Sequence, residues 1–318
     1  MHILITGANG FVGAHLVRRL LADGRVGDDG PAIATLTLVD IALDGAPDDS
    51  RVRRVVGSIA DPEVLKAAFK EPVDHVFHLA SIPGGAAEKN YELGLAVNLQ
   101  ASIGILECLR RQGSAARLVF ASTVAVYGAP MPARVDDATP MRPRLSYGAH
   151  KLATEVLIED YSRRGWIDGR IVRLPGIVAR PAEPSGLLSA FMSDIFWRLS
   201  AGERFVCPVS PQATAWWMSV GCCVDNLLHA ASLPAAAVAA RRAYTLPVQR
   251  LSIAAVVDGL AAIYGDLRRD LISFEPDAAL EAAFGSMPPL DTKAAEAIGF
   301  RHDGSVAALI AGALRAGQ

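Results

Sequence analysis

Short apolar runs alternate with amphipathic stretches through the first half of the chain. His2–Thr6 is a compact apolar run, followed by a glycine cluster and then helical spacing over Phe11–Ala22. Ala34–Val39 is apolar and β-branched and stops at Asp40. The pattern continues with a helix over Glu63–Phe69, a strand over Val73–Leu79 and a helix over Tyr91–Arg111. A strand at Arg117–Ala121, a long amphipathic helix at Gly148–Arg164 and a strand at Gly169–Leu174 close this half. Strands that alternate with helices predict a parallel sheet covered on both faces. Beyond Pro175 the alternation breaks. Residues 176–220 read as irregular, Val224–Ala231 as a helix, 243–247 as a short strand, and Ser252–Tyr264 and Ser305–Leu314 as helices.

The expected architecture is therefore α/β. A Rossmann-type doubly wound parallel sheet spans 1–175, with a return segment near 220–247. A smaller C-terminal substrate lobe is built from 176–219 and 248–318 and is expected over the carboxyl ends of the strands. The length of 318 residues agrees with about two domains.

Composition narrows the functional classes. Lys plus Arg is 31 against 33 for Asp plus Glu, so no broad basic face awaits a nucleic acid. Cys108, Cys207, Cys222 and Cys223 form no CxxC pair, and the histidines do not cluster, so neither a disulfide framework nor a metal site is expected. The longest apolar segments, near Pro234–Ala240 and Val306–Leu314, fall short of the ~20 residues of a membrane span. No basic stretch leading into an apolar segment opens the chain. The expectation is a cytoplasmic protein with no membrane partner.

The first candidate for chemistry is the turn Thr6-Gly7-Ala8-Asn9-Gly10-Phe11-Val12-Gly13, with glycines spaced GxxGxxG between a strand and a helix. Gly7 permits a sharp exit from the strand, Gly10 lets backbone approach a pyrophosphate, and Gly13 brings the helix close to the sheet. The helix amides at Phe11 and Val12 then face the phosphates. Asp40, at the end of the second strand, can accept from ribose hydroxyls and would repel a 2′-phosphate, which favours NAD over NADP. Its distance from Gly13 exceeds the usual ~20 residues, and the polar loop Gly24–Pro31 accounts for the excess. Asp61 either reaches the adenine amino group or caps the helix that opens at Pro62.

Tyr147 and Lys151 stand four apart and share a helix face. A phenol near pKa ~10 is a poor base at neutral pH, and a neighbouring ammonium favours the phenolate. Upstream, Phe120–Gly128 places two hydroxyls, Ser122 and Thr123, at the carboxyl end of a strand. Either can hold the reacting oxygen beside Tyr147. His78 and His150 receive no catalytic role.

Thr6–Gly13, His78-Leu79-Ala80-Ser81, Asn98, Ser122–Gly128, Tyr147 with Lys151, and Arg173-Leu174-Pro175-Gly176 together resemble the extended short-chain dehydrogenase/reductases over nearly the whole chain. The resemblance implies bound NAD(P), Tyr147 as acid and base, Lys151 as its activator, and the orienting hydroxyl on Thr123, where most members carry Ser, with Ser122 as the stand-in. It also implies cofactor contacts from Asn9, Leu79, Ala80, Ser81, Asn98 and Pro175, and a homodimer through the helices at Tyr91–Arg111 and Gly148–Arg164. A narrower similarity, in Pro83–Glu88, Asp160–Arg170, Arg173–Pro181 and Trp216–Ser219, is to the D-erythronate dehydrogenases, which oxidise the C2 hydroxyl of a four-carbon sugar acid. Such a substrate needs a cation for its carboxylate. Arg180 is the first candidate, ahead of Arg142 and Arg144, and Gly84 lies in the loop expected near the substrate. Trp216 and Trp217 either wall the pocket or fill the core. An L-threonine 3-dehydrogenase-like enzyme and a nucleotide-sugar 4-epimerase or reductase are the rivals. A dinucleotide sensor without turnover has no use for Tyr147 and Lys151.

Overall fold

The computed structural model describes residues 1–181 and 189–314. In chain order the strands are β1 (His2–Thr6), β2 (Thr35–Asp40), β3 (Val52–Val56), β4 (His75–His78), β5 (Arg117–Thr123), β6 (Asp168–Leu174), β7 (Gly176–Val178), β8 (Phe205–Cys207), β9 (Thr214–Ser219), β10 (Ala243–Thr245), β11 (Gln249–Ser252) and β12 (Ile272–Phe274). The helices are α1 (Phe11–Asp23), α2 (Pro62–Ala68), α3 (Gly84–Lys89), α4 (Tyr91–Leu95), α5 (Ala101–Gln112), α6 (Ser146–Arg163), α7 (Phe191–Ala201), α8 (Val220–Ser232), α9 (Ile253–Tyr264), α10 (Ala278–Phe284), α11 (Lys293–Ala297) and α12 (Val306–Leu314). Contacts divide them into two compact units.

The first unit is Met1–Gly128, Met141–Arg173 and Val224–Thr245. Its core is a seven-stranded parallel sheet in the order β10-β6-β5-β4-β1-β2-β3. This is the Rossmann-type arrangement. The chain runs outward from β1 to β3, then crosses back to β4 on the other side of β1. Ligands bind open α/β sheets at such a switch point, and the carboxyl ends of β1 and β4 meet there. Ile3, Leu4 and Ile5 are all fully buried, as a central strand covered on both faces requires.

β3 departs from the sequence pattern. Its Val-Arg-Arg-Val-Val run lacks the apolar signature because it is an edge strand. Arg53 is turned to account there, donating to the carbonyls of Ala67 and Ala68 at the end of α2. Helix α6 opens at Ser146, two residues ahead of the expected start, so Tyr147 lies in its first turn.

α4, a π-helical turn at Ala96–Gln100 and α5 form one continuous helical run, Tyr91–Gln112. At 22 residues, with a mean hydropathy of 1.3 over 18 of them, it is long and apolar enough to cross a membrane by length and composition. The longest apolar segments were expected elsewhere, near Pro234–Ala240 and Val306–Leu314, and short of a membrane span. Interspersed Gly, Ser, Asn and Gln hide the run from a search for unbroken apolar stretches. Its inward face, with Val97, Ala101, Ile105, Leu106 and Leu109, is packed into the core of the sheet.

The second unit is Ala129–Pro140, Leu174–Cys223 and Leu246–Gln318. Ala129–Pro140 was expected in the first. It clusters here because Val135 bridges Leu290 and Arg134 pairs with Asp291 at 2.6 Å. The unit holds a three-stranded sheet, β11-β9-β7, and a two-stranded ladder, β12-β8. The stretch expected to be irregular thus contains β7, α7, β8 and β9. In α7 the buried positions Phe191, Met192, Ile195, Phe196 and Leu199 recur at helical spacing, a signal masked by the prolines and glycines around it. Trp216 and Trp217 are core. Their indole N–H groups donate to Pro288 O at 2.8 Å and Leu251 O at 3.1 Å.

A tight steric constraint lies at the start of α1. A Cβ on Gly13 would sit 2.0 Å from the carbonyl oxygen of Gly7, a backbone atom with no room to yield. Gly13→Ala is expected to cost about 3 kcal/mol or more and to lower the thermal midpoint by several degrees. An unchanged melting curve would show that the turn and helix separate freely.

Candidate active site

The turn between β1 and α1 closes on the loop after β4. Gly7 has φ +72°, and a Cβ there would lie 2.7 Å from Ala80 N, so only glycine fits. Thr6, His78, Ser102 and Asn98 form a buried chain beneath this contact. Ser102 donates to Asn98 O at 2.9 Å, so neutral His78 uses Nε2–H to reach Ser102 Oγ at 2.8 Å. His78 Nδ1 then accepts from Thr6 Oγ1 at 2.7 Å, and Thr6 Oγ1 accepts from Ala80 N at 3.3 Å. Burial and the nearby Lys151 charge push His78 down to about 3, which keeps the ring neutral. Asn98 clamps the same loop, accepting from Ile82 N at 2.7 Å and donating to Ile82 O at 3.0 Å. Leu79, Ala80 and Ser81 are therefore held rigidly beside the glycine turn.

The turn has the features a dinucleotide needs. Gly10 caps α1 with no side chain of its own, so the start of the helix carries no capping side chain in the way of a ligand. A Cβ on Gly10 would meet nothing within 4 Å but Gly7 O, so its outer side is clear. Asp40 braces the turn, accepting from Asn9 N at 2.8 Å and Ile41 N at 2.7 Å. A carboxylate has about four acceptor sites, so two remain for ribose hydroxyls. The residues present thus fit NAD. Asp61 caps α2 through Glu63 N at 2.9 Å, the structural of its two expected roles.

Helix α6 brings Tyr147 and Lys151 together. The Lys151 ammonium lies 5.8 Å from the centre of the Tyr147 ring and 4.6 Å over that of Phe120, and it donates to Ala121 O at 2.8 Å. Lys151 is only 1% exposed. Burial, opposed by Glu155, pulls its ammonium down to about 7. Thr123 sits two residues beyond Ala121 on β5, where its Oγ1 accepts from Ala125 N at 3.1 Å. Among the described residues nothing accepts its hydroxyl hydrogen, which remains for a ligand oxygen. Gly84, opening α3, borders the same place: a Cβ on it would lie 3.8 Å from Tyr147 Cβ.

Ser122 does not share that position. Its hydroxyl points to the opposite face of β5 and donates to the Glu155 carboxylate. Arg173 grips the same carboxylate with Nη2 at 2.6 Å and Nε at 3.0 and 3.2 Å. The proton of Ser122 is spent, so the structure leaves Thr123 as the available hydroxyl. Glu155 was missed in the sequence, although it lies four residues beyond Lys151 on one helix face. Glu88 was also missed; it accepts from Ser146 N at 2.5 Å and so caps the helix that carries Tyr147. Arg142 and Arg144 are exposed. Pro175 and Arg180 belong to the second unit, where Arg180 N donates to Ser193 Oγ at 3.0 Å and Arg180 O accepts from Trp197 Nε1 at 2.5 Å.

A sequence profile of the NAD dependent epimerase/dehydratase family matches residues 3–236. The chain is 39% identical over 308 residues to D-erythronate dehydrogenase of Cupriavidus necator, covering 96% of this chain and 95% of that protein. It is 35% identical over 305 residues to D-erythronate dehydrogenase of Haemophilus influenzae, covering 95% of each chain. A crystal structure described as the nucleoside-diphosphate-sugar epimerase from Agrobacterium tumefaciens superposes with a TM-score of 0.90 at 32% identity. It covers 98% of this chain and 92% of that one.

The buried lysine fixes the sign of a pH effect. Its folded value of about 7 lies below that of the unfolded chain, so between them the unfolded state binds more protons. Stability of the ligand-free protein is expected to rise with pH from 7 towards 10, by up to about 1.4 kcal/mol per unit from this group. Lys151→Met should remove that increment. Urea unfolding at pH 7 and 9 reads both slopes, and equal slopes would mean that Lys151 titrates normally.

Proposed function

The chain belongs to the NAD dependent epimerase/dehydratase family, and on that premise we propose that it oxidises the C2 hydroxyl of a four-carbon sugar acid, D-erythronate, to the 2-keto acid. The observation that carries this reading is the Tyr147, Lys151 and Thr123 set beside a glycine turn suited to NAD. The near full-length similarity to two proteins named D-erythronate dehydrogenase supports the substrate.

Gly7, Asn9, Gly10, Phe11, Val12 and Gly13 hold the pyrophosphate in this reading, and Asp40 holds the adenosine ribose. Leu79, Ala80 and Ser81 line the path to the reacting end. Bound NAD supplies the acceptor for the hydride that leaves C2. Thr123 Oγ1–H donates to the substrate oxygen and orients it. Tyr147 Oη, as phenolate, takes the hydroxyl proton while the carbonyl forms. The Lys151 ammonium stabilises the phenolate electrostatically. Gly84 leaves room for the substrate's chain. NAD is preferred to NADP because the Asp40 carboxylate opposes a 2′-phosphate.

A second reading rests on the Agrobacterium tumefaciens structure, whose description names a nucleotide-sugar epimerase. Formation of NADH at 340 nm over D-erythronate, L-threonate, L-threonine and UDP-glucose, each with NAD and NADP, separates the two. Turnover of D-erythronate with NAD is expected, together with a loss of roughly 10²–10⁴-fold in Tyr147→Phe while NAD binding persists. Silence on both sugar acids would remove the substrate, and a fully active Tyr147→Phe would remove the base.

The enzyme works as a homodimer in this reading. Ile103 on α5 and Val156 on α6 are large, exposed apolar side chains on the helices expected to pair. Sedimentation should give twice the chain mass, and a monomer at all concentrations would refute the pairing.

A further inference from the structure

Behind Lys151 lies a buried ion pair that the proposed chemistry does not use. Glu155 is 2% exposed and stands one helical turn beyond Lys151 on α6. Its carboxylate gathers Ser122 from β5 and Arg173 from β6, so one side chain ties the catalytic helix to two central strands. The consequence is geometric as well as electrostatic. Ser122 lies between Ala121, whose carbonyl receives Lys151 Nζ, and Thr123, whose hydroxyl faces the site. Fixing Ser122 on the rear face fixes both neighbours.

We propose that Glu155, held by Arg173 and Ser122, is a positioning residue that sets Lys151 against Thr123 and supplies the buried negative charge that sustains the Lys151 ammonium. The inference rests on the reading of Tyr147 and Lys151 as the acting pair. The groups that face Lys151 support it. Neutral His78 faces it from β4, the Phe120 ring and Ala121 carbonyl from β5, and Tyr147 from its own helix. Among these groups Glu155 is the one that raises the lysine against the effect of burial. Arg173 is hydrogen-bonded to Glu155 and partly neutralises the carboxylate that acts on Lys151. Removing either charge should therefore move Lys151 in opposite directions.

The test follows Lys151 itself. The chain has five lysines, so selective ε-¹³C labelling gives a spectrum in which Lys151→Met assigns the signal. Glu155→Gln leaves Arg173 unbalanced and should lower the Lys151 midpoint by about one pH unit or more. Arg173→Met leaves Glu155 unbalanced and should raise it. The double variant removes both charges and should return the midpoint towards that of the parent. Either single variant that folds is informative alone, and the double variant needs no buried lone charge to fold. A purely structural ion pair would lower thermal stability while leaving the midpoint in place. An unmoved midpoint in any folded single variant, or a shift of the same sign in both, overturns the proposal. Because the titration needs no substrate, its outcome is separate from that of the sugar-acid assay. Opposite shifts of Lys151 in the two single variants of a chain that oxidises no hydroxy acid would leave this inference standing and remove the substrate alone.

Discussion

The candidate site depends on a lysine ammonium buried between a helix and the sheet. A charge out of water is costly unless partners replace the solvent. Here a strand carbonyl accepts one of its protons, an aromatic ring lies under it, and a carboxylate one helical turn away opposes the cost of burial. Those partners come from β5 and α6, so the two elements must pack in one register for the charge to be tolerated. That register sets Tyr147 near Lys151 and puts Thr123 two residues beyond the carbonyl that accepts the ammonium. The requirement to stabilise one charge thereby doubles as the requirement to assemble the site.

A second constraint operates at the switch point. The loop after β4 passes so close to the glycine turn that a side chain on Gly7 would collide with it. The loop is held from below by the Thr6, His78 and Ser102 chain and from the side by Asn98. A neutral histidine suits this task because it donates at one nitrogen and accepts at the other. With the loop and turn rigid, the first amides of α1 are kept in place before any ligand arrives, which limits the ordering cost of binding.

Much of this was legible in the chain. The glycine spacing, Asp40 and the Tyr147 and Lys151 pair are local patterns whose geometry follows from a strand, a turn and one helical turn. The central sheet was legible too, because buried parallel strands are short unbroken apolar runs. What escaped depends on partners distant in sequence. Ser122 and Thr123 are neighbours, and only the side chain opposite each one separates their roles. Glu155 reads as an ordinary helical acid until Arg173, eighteen residues on, is brought beside it. β3 was hidden because an edge strand needs no apolar face, and α7 because turn residues flank it.

The proposed reaction turns on where hydride leaves the substrate. D-Erythronate carrying deuterium at C2, compared with the same acid labelled at C3, reads this directly in competition for kcat/KM with NAD. Slowing by the C2 label alone is predicted, with deuterium recovered in NADH. Slowing by the C3 label, or deuterium lost to solvent, would contradict the account.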